Sequence, residues 1–333
     1  MKRRQGERKK RGKSPIHRFT DSPIHPQRGM VLVLTLVVIT ILAVLVLEFN
    51  YLMRVEVEIA GNYRDSLKAY YLANSGVNFA YLLLRDDDDL SCDSLDEDWA
   101  LAKPPVAMEE GTVTFQIIDE CGKININSLL TKKGKIDDRK KAVLERLFEV
   151  LEIDKKLADV VCDWLDKDDE VRDFGTEDDY YSNLENPYPC KNGPLNTIDE
   201  LFLLKDFNDE VFYGKEKERG SLNSYLTVYG DHKVNINTAP DIVFQSLHPD
   251  IDGSLAQEIV EYRGEHPFKK ITDLKEVFGI DDRLYNEISP LITVKSSFFQ
   301  VYATGSLGEA RKRIETILER EGKTLEIKYW RII

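Results

Sequence analysis

The sequence has few histidines and none of the short strings that mark common active sites. Three of its five histidines lie beyond the N-terminal region, at His232, His248 and His266, and none is in a catalytic string. The G-x-S-x-G and H-E-x-x-H strings and glycine-rich phosphate loops are absent. Paired carboxylates could serve glycoside hydrolysis, but the acidic residues are too crowded to single out an acid and a base. The sequence therefore predicts a protein that is not an enzyme.

Positive charge is scarce beyond residue 29. Residues 1–29 hold ten of the 46 Lys and Arg residues and two of the 59 Asp and Glu residues. The rest of the chain has 36 basic against 57 acidic residues, an excess of 21 negative charges. Because such a body repels a phosphate backbone, no nucleic acid partner is expected. An acidic surface suits divalent cations better.

Cysteine is also scarce, with four residues: Cys92, Cys121, Cys162 and Cys190. No C-x-x-C pair is present, so a zinc or thioredoxin-like motif is not supported. An even number beyond a membrane segment fits disulfides in an oxidising compartment. Of the three possible pairings, Cys162–Cys190 is favoured because it would close one acidic, loop-rich stretch. Four unpaired buried thiols are the alternative.

An uncharged apolar run of 18 residues, Met30–Leu47, follows the basic segment. A membrane-spanning helix needs about 20 residues, so this run can span once its flanks are counted. The positive-inside rule then leaves the basic segment in the cytoplasm and places the acidic body outside. A cleaved secretory signal is disfavoured because EFNY (48–51) follows in place of an A-x-A-like site. A simple signal anchor fits the hydropathy equally well.

Helical spacing continues beyond the apolar run. Residues 48–85 contain no proline, and their apolar side chains recur at helical intervals, as at Leu67, Tyr70, Tyr71, Ala73, Val77, Ala80 and Leu84. This pattern predicts one helix from Met30 to about Arg85, far longer than a membrane span, with an amphipathic second half. Such a helix would lie half in lipid and half against a globular head.

Four segments have the β-branched, alternating composition of strands: 112–119, 298–304, 311–319 and 324–330. Glycines mark the turns between the last three. Residues 86–111, with four consecutive Asp and a Pro-Pro pair, predict a loop. Together with the N-terminal helix, the strands predict an α+β fold in which a long helix packs on an antiparallel sheet.

Residues 120–295 separate these strands and have mostly helical patterns, which predicts a large helical insertion with an internal repeat. KININS (123–128) recurs as KVNINT (233–238), and GPLNTIDEL (193–201) is echoed by HPFKKITDL (266–274). Residues 259–274 resemble a helix-hairpin-helix unit of the SAM-like helical domains. Such units elsewhere bind DNA, but here the few local Lys and Arg residues lie in a negative field.

The sharpest local signal is a crowded acidic stretch, DWLDKDDE (163–170), followed by Asp173 and GTEDDYY (175–181). Calcium is the natural counter-ion because it takes about six to eight oxygen ligands in flexible geometry. The spacing is not that of an EF-hand, and no nearby histidine favours a transition metal. A solvated acidic loop is the alternative, but interleaved aromatic residues (Trp164, Tyr180, Tyr181) indicate ordered packing. The candidate ligands are Asp166, Asp168, Asp169, Glu177, Asp178 and Asp179.

Arg28-Gly29, directly before the apolar run, resembles the type IV prepilin signal. In that family a dedicated peptidase cuts after the glycine and methylates the new N-terminus, which implies a cut between Gly29 and Met30. The string AYYLANSGV (69–77), the acidic strings and the helical insertion are similar to those of the K-type minor pseudopilins of type II secretion. In that family calcium is bound in the corresponding acidic region.

One departure from most pilins is shared with the K type. Most members carry Glu at the fifth mature position, where it is thought to neutralise the amino terminus of a neighbouring subunit; here that position is Leu34. A buried unpaired charge in the membrane is costly, so a subunit with no neighbour ahead of it needs no such acid. A chain that is not a pilin would also lack it.

The resemblance covers nearly the whole chain and implies four parts. These are a basic prepilin leader (1–29), a transmembrane and amphipathic helix (30–85), a pilin-like α+β head (86–119 and 296–333) and a helical insertion (120–295). It implies a single-pass inner-membrane protein with a cytoplasmic N-terminus and a periplasmic body.

By the same resemblance, the protein would sit at the tip of the pseudopilus. There it would help to start and cap the fibre that drives export of folded proteins across the outer membrane. The implied partners are the I- and J-type minor pseudopilins, the major pseudopilin, the prepilin peptidase, the inner-membrane assembly platform, the secretin and secreted substrates. Two alternatives stay open: a minor pilin of a type IV pilus, and a membrane-tethered helix-hairpin-helix DNA-binding protein.

Overall fold

The computed structural model describes residues 26–214 and 220–333, with side chains from Gly29 onward, so most of the predicted basic leader lies outside the described residues. Contacts divide the chain into two units, with the boundary between Gly61 and Asn62. The described part of the first unit is helical, whereas the second unit contains a sheet and a large helical region.

The first helix, α1 (Pro26–Arg85), begins with the predicted apolar run. Its side chains from Met30 to Leu47 are exposed, and the helix is long and apolar enough from Gly29 onward to cross a membrane. No proline follows Pro26 in the helix, so no hydrogen bond is lost to a proline beyond its first turn. The long helix predicted from the sequence is confirmed.

The remaining elements follow a head–insertion–head order. In the described residues the strands are β1 (Val106–Met108), β2 (Gly111–Asp119), β3 (Ile124–Asn125), β4 (Leu226–Thr227), β5 (Val234–Asn235), β6 (Ile292–Thr293), β7 (Phe298–Leu307), β8 (Ala310–Glu321) and β9 (Thr324–Ile332). The other α-helices there are α2 (Asp138–Val150), α3 (Leu157–Leu165), α4 (Asp178–Ser182), α5 (Asp209–Tyr213), α6 (Asp241–Leu247), α7 (Gly253–Glu265) and α8 (Asp282–Ile288). Short 3₁₀ helices occur at Ile126–Leu129, Ile198–Leu203, Leu222–Ser224, Ile271–Glu276 and Ser289–Leu291.

The head contains a five-stranded antiparallel sheet with the order β1-β2-β7-β8-β9. Strands β2 and β7 pair from Thr112↔Ser306 to Asp119↔Phe299, so the two strands that flank the insertion in sequence are neighbours in the sheet. All four predicted strands are present. The short β1 was missed because three residues are too few to show an alternation.

The second half of α1 packs one face against this sheet. Its buried residues recur every three or four positions: Ala69, Ala73, Val77, Ala80 and Leu84. Strand β7 approaches the helix closely at Gly305, where an added Cβ would lie 2.1 Å from the carbonyl oxygen of Ala69. The small residues on both elements therefore allow helix and sheet to meet nearly backbone to backbone.

A buried polar network joins the head to the insertion. Asp119, at the end of β2, accepts hydrogen bonds of 2.5 Å from the hydroxyl groups of Ser296 and Thr238. It also accepts from the backbone N–H of Cys121 (2.8 Å) and the side-chain amide of Asn235 (3.2 Å). Burial raises the pKa of Asp119 to about 6. The chain passes between head and insertion twice. The Asp119 carboxylate accepts hydrogen bonds from residues at both connections.

The insertion has two halves of one design, as the sequence repeat predicts. In each half a short first strand pairs in parallel with a strand at the end of that half: β3 with β4, and β5 with β6. Helices α2 and α3 of the first half correspond in order to α6 and α7 of the second, and α2 packs against α6. The two halves share one apolar core that includes Leu144, Phe148 and Phe244.

Candidate functional site

Matching asparagines of the two repeats have the same structural role. The side-chain amide of Asn127 donates to the carbonyl oxygen of Leu195 (2.9 Å), and its Oδ1 accepts from the N–H of Leu195 (2.7 Å). Asn237 makes the same two bonds with Phe268, both at 2.9 Å. Leu195 and Phe268 occupy equivalent positions in the two sequence repeats. Each asparagine therefore holds the backbone of one hairpin through two hydrogen bonds.

This equivalence shows that the acidic stretch is inserted into the first hairpin. In the second half, α7 ends at Glu265 and only two residues precede Phe268. In the first half, α3 ends at Leu165 and 29 residues precede Leu195. Residues 166–194, here called the acidic loop, are therefore 27 residues longer than the equivalent connection in the second half. A function specific to the first half is expected to lie in this loop.

Two carboxylates at the end of α3 share one guanidinium group. Nη1 of Arg172 lies 2.5 Å from Oδ1 of Asp163 and 2.7 Å from Oδ2 of Asp166. The backbone N–H of Arg172 also donates to Oδ2 of Asp163 (3.2 Å). Both acids are fully buried, and burial raises the pKa of each carboxyl above its usual range despite the guanidinium. The acidic loop closes tightly here, since a Cβ on Gly175 would lie 1.8 Å from Oδ2 of Asp163.

Glu177 adds a third buried carboxylate. Neither of its oxygens accepts a hydrogen bond from a nitrogen or oxygen donor, and the Cys190 thiol is its polar neighbour. Burial, with the nearby Asp163 carboxylate, raises the pKa of Glu177 to about 7. Both oxygens of Asp166 likewise lack a well-formed hydrogen bond, although one is ion-paired to Arg172. Polar oxygen atoms are costly to bury unless a donor or a cation compensates them.

Asp163, Asp166, Arg172 and Glu177, here called the Arg172 cluster, carry unbalanced charge. If all three carboxylates were ionised, they and the one guanidinium would leave an excess of two negative charges, and Arg172 is the only Lys or Arg between Lys167 and Lys191. A divalent cation would balance that excess. The donor set is oxygen only, which is the set that calcium prefers. The residues present therefore fit a calcium ion by ligand type, although among the described residues their carboxylate oxygens do not all lie within 4.8 Å of one another.

The six predicted ligands fall into two groups. Asp166 and Glu177 are buried in the Arg172 cluster. The other four are exposed: Asp168, Asp169, Asp178 and Asp179. Asp178 serves local structure, since its carboxylate accepts from the N–H of Cys190 (2.9 Å) and the hydroxyl of Ser182 (3.0 Å). The structure thus brings two of the six into the cluster.

Three residues of the site were missed by sequence reasoning: Asp163, Arg172 and Asn192. Asp163 is the first residue of the acidic string, and Arg172 was detectable as the lone basic residue between Lys167 and Lys191. Asn192 has a buried Oδ1 without a partner and a left-handed backbone (φ 48°). Nothing in the local sequence marks Asn192, because its burial depends on how the acidic loop closes.

Aromatic rings support the cluster, as their interleaving with the acids predicts. The ring of Trp164 packs edge-on against Tyr181 with centroids 4.9 Å apart, and Tyr181 is fully buried. Tyr188 extends this stack, with its centroid 5.5 Å from that of Tyr181. The acidic loop is therefore packed around an aromatic core and is not a solvated loop throughout.

All four cysteines are buried free thiols in this structure, so the expected Cys162–Cys190 disulfide is not formed in it. The sulfur of Cys190 lies 3.8 Å from the carbonyl oxygen of Asp163, the residue that follows Cys162. Burial raises the pKa of both thiols to about 12, so both are protonated at neutral pH. Cys92 and Cys121 lie elsewhere, against Lys269 and Ser297 respectively. The pairing of Cys162 with Cys190 stays a prediction.

A second acidic group lies just after α1. Among residues 26–214 and 220–333, Asp87, Asp93 and Glu97 form the one set of potential ligands whose atoms all lie within 4.8 Å of one another. Arg320 of β8 pairs with Asp87 at 3.0 Å and also with Asp93, and the indole of Trp99 donates to Glu97 at 2.7 Å. Arg320 and Trp99 thus supply donors to all three carboxylates of this group. Gly29 and Met30 are exposed positions near the start of α1, and the cut between them stays a prediction.

Comparison with known sequence families agrees with the duplicated design of the insertion. The family described as Type II secretion system (T2SS), protein K matches residues 122–217. A helix-hairpin-helix motif matches residues 230–293. The first match covers most of the first half of the insertion and the acidic loop, and the second match covers the second half.

Relatives of similar length carry one name. Type II secretion system protein K of Aeromonas hydrophila is 25% identical over 315 residues, which cover 88% of this chain and 93% of the relative. The protein of that name from Klebsiella pneumoniae is 24% identical, with 91% and 95% covered. A crystal structure of the GspK-GspI-GspJ complex from the enterotoxigenic Escherichia coli Type 2 Secretion System matches with a TM-score of 0.64 at 17% identity, covering 84% of this chain and 98% of that one. The resemblance expected from the sequence is confirmed.

Proposed function

We propose that this chain, a relative of type II secretion system protein K, is a minor pseudopilin of such a system and has a structural role, not an enzymatic one. The observation that carries the proposal is that the match to the relatives runs along nearly the whole chain and includes every part of the fold. The long helix, the sheet and the duplicated insertion occur in one chain, and the sequence match runs over 93% and 95% of two relatives of that name. A minor pilin of a type IV pilus is less well supported, because these relatives belong to secretion systems.

The N-terminal half of α1 supports a membrane anchor. Its apolar run is uncharged and exposed, and ten basic residues precede it. By the positive-inside rule, the head lies in the periplasm and residues 1–29 in the cytoplasm. The prepilin peptidase then removes residues 1–29 and methylates Met30.

The insertion supports a place at the tip of the fibre. Because Asp119 and Phe299 are paired neighbours, the whole insertion leaves the sheet from one end of the β2–β7 pair. A head of this bulk obstructs the addition of another subunit above it. The similar solved structure contains GspI and GspJ besides GspK, which supports I- and J-type minor pseudopilins as partners.

Copurification tests this function. The full chain is coexpressed with the prepilin peptidase and with the I- and J-type pseudopilins of its own system, then extracted in detergent. We expect a complex of the three proteins and an intact mass that corresponds to a methylated chain beginning at Met30. The variant Gly29→Leu is the matched control and should stay uncut. An uncut wild-type chain that binds neither partner would overturn the proposal.

We further propose that the Arg172 cluster binds calcium through the buried carboxylates of Asp166 and Glu177. Support comes from the buried oxygens without donors, the oxygen-only donor set and the aromatic packing that holds the loop. A ligand that binds only the folded state raises its stability. Calcium should therefore stabilise the protein against heat.

Thermal unfolding of the detergent-solubilised chain tests calcium binding. Calcium added after EDTA treatment should raise the midpoint of the wild type and of Asp179→Asn, whose carboxylate is exposed. It should have little effect on Asp166→Asn, which lacks a buried ligand. Equal shifts in all three proteins would refute the assignment of the site, and no shift in any would refute calcium binding.

The alternative of a DNA receptor is not supported by the helix termini of the helix-hairpin-helix half. Phosphates bind to free backbone amides at helix N-termini. The side chain of Asp252 already accepts from the N–H of Leu255 in α7 (2.9 Å), and that of Asp281 accepts from Leu284 in α8 (2.7 Å). Both carboxylates occupy these amides and add negative charge where a phosphate would bind.

A further inference from the structure

Strand β9 forms one edge of the five-stranded sheet, and among residues 26–214 and 220–333 no strand pairs with its outer side. We propose that this edge binds an extended strand of a neighbouring pseudopilin, which adds to the sheet through main-chain hydrogen bonds. This assignment rests on the proposed function, because it names the surface at which such a neighbour binds. It is independent of the calcium site.

The two edges of the sheet differ in length. The opposite edge strand, β1, has three residues, whereas β9 has nine. Natural sheets often keep an edge strand short or place proline in it, because unpaired backbone groups attract strands of other chains. The sequence of β9, TLEIKYWRI, contains no proline and is rich in β-branched and aromatic residues. Strand β9 therefore has the length and the composition of a strand that can pair on both sides.

The hydrogen-bond pattern shows which backbone groups of β9 point outward. The N–H of Ile333 donates to the carbonyl group of Arg313 at 2.8 Å, and the N–H of Arg313 donates to that of Ile333 at 3.1 Å. Along an antiparallel ladder, hydrogen-bonded pairs alternate with non-bonded pairs. Ile332 and Trp330 occupy non-bonded positions of the register, so their backbone groups point away from β8. In the part of the chain that the structure describes, no side chain or loop accepts a hydrogen bond from either N–H group.

A β-bulge limits the segment that can pair. The register between β8 and β9 shifts between Ile317 and Leu318, which leaves Lys328 without an opposite residue. A bulge and a lysine both protect an edge against pairing. The available ladder is therefore the part of β9 after Lys328, where outward backbone groups recur every second residue as a partner strand requires.

Apolar side chains border the same segment. Ile332 is 50% exposed and Ile333 is 54% exposed. Trp330 is partly buried against the apolar cluster between α1 and the sheet, which includes Ala73 and Ala303. A strand beside β9 would cover the two isoleucines and extend this cluster through cross-strand side-chain pairs.

The direction of β9 bears on which strand binds. Ala69 of α1 lies beside Gly305, and Leu84 shares an apolar cluster with Phe299, so β7 runs antiparallel to the second half of α1. Strand β9 has the same direction as β7, since both are antiparallel to β8. Two copies that paired their β9 strands in antiparallel manner would therefore point the second halves of their α1 helices in opposite directions. Subunits anchored in one membrane share one direction, whereas the edge strand of a different pseudopilin is free of this constraint.

A proline substitution and hydrogen–deuterium exchange test this edge. The full chain is coexpressed with the I- and J-type pseudopilins of its own system and purified in detergent. Ile332→Pro removes an outward N–H but no hydrogen bond to β8, so it should keep the wild-type thermal midpoint and bind about tenfold more weakly. Ile332→Val is the matched control, because it keeps both the N–H and an apolar side chain, and it should bind as the wild type does. In the wild-type complex, residues 324–333 should exchange more slowly than in the chain alone.

The outcomes separate this assignment from the proposed function. A wild type that binds neither pseudopilin overturns both. A wild type that binds, with equal affinities for Ile332→Pro and Ile332→Val, overturns the role of the edge alone. If Ile332→Pro does not fold, the wild type decides, because unchanged exchange of residues 324–333 in the complex overturns the assignment. Protection that appears in the chain alone as its concentration rises would identify a second copy as the occupant and would also overturn it.

Discussion

Two amide side chains, of which that of Asn237 is buried, hold the hairpins of the insertion. Asn237 bonds both the N–H and the carbonyl group of Phe268, which is 1% exposed. We expect Asn237→Ala to lower the free energy of unfolding by about 1–3 kcal/mol, because it leaves both backbone groups buried without partners. Denaturant unfolding followed by circular dichroism measures this loss. Asn286→Ala, at an exposed position of α8, is the control, and an equal loss in both variants would contradict the role of Asn237.

Asp119 makes stability depend on pH. Its pKa of about 6 in the folded state lies above the ordinary value of 3.8, so the folded state binds this proton more tightly than the unfolded chain. The resulting stability is fully present below about pH 4 and is lost as the pH rises through about 6. Glu97 and Glu177, with pKa values raised by burial to about 7, act in the same direction.

We expect Asp119→Asn to flatten the loss of stability between pH 4 and pH 6, because the titrating group is gone. The measurement is the free energy of unfolding at several pH values in EDTA, and the informative quantity is the slope with pH. Asp98→Asn, at an exposed position of the same region, is the control and should keep the wild-type slope. An unchanged slope in Asp119→Asn would show that other groups dominate the titration.

At the scale of elements, the contact between α1 and the sheet depends on a missing side chain. A Cβ on Gly305 would lie 2.1 Å from the carbonyl oxygen of Ala69 and 2.5 Å from the backbone nitrogen of Ala73. We expect Gly305→Ala to destabilise the head by about 1–3 kcal/mol, because helix and strand must move apart. Gly264→Ala is the matched control, since it adds the same methyl group in α7 with no atom within 4 Å.

Gly264→Ala should be neutral or stabilising by about 0.5–1 kcal/mol, because alanine is the better helix former. Thermal unfolding of both variants beside the wild type checks the pair. Equal midpoints for the two variants would show that α1 and β7 can separate without cost.

Elements with long local patterns could be predicted from sequence. The helix α1 and the four long strands carry enough repeats of their periods to be read directly. Strands β3 to β6 have two residues each, so they show no period, and only the repeat at Asn125 and Asn235 hinted at them.

The site was harder to predict. The density of acidic residues indicated the region of the chain but not which of their side chains are buried. Asp166 and Glu177 turn inward while Asp168 and Asp179 face solvent, and that choice depends on how Gly175 closes the loop.

At the scale of the whole molecule, we expect that the insertion can be removed without disrupting the sheet of the head. The backbone N–H of Glu120 donates to the carbonyl group of Phe298 at 3.0 Å, so these two residues, which flank residues 121–297, face each other as the ends of a hairpin. A two-residue Asn-Gly turn can join such ends. A chain in which Asn-Gly replaces residues 121–297 should therefore keep α1, the sheet and its membrane anchor.

This shortened chain tests whether the insertion is what confines the subunit to the tip. In cells that assemble visible pseudopili, gold labelling of the wild type should fall at fibre ends. The shortened chain should also appear along the shaft, because nothing bulky then obstructs the next subunit. Prepilin processing should be equal in both, which shows that the shortened chain reaches the membrane. If the shortened chain is processed yet stays at fibre ends, α1 would confine it there, since Leu34 stands where most pilins carry an acid.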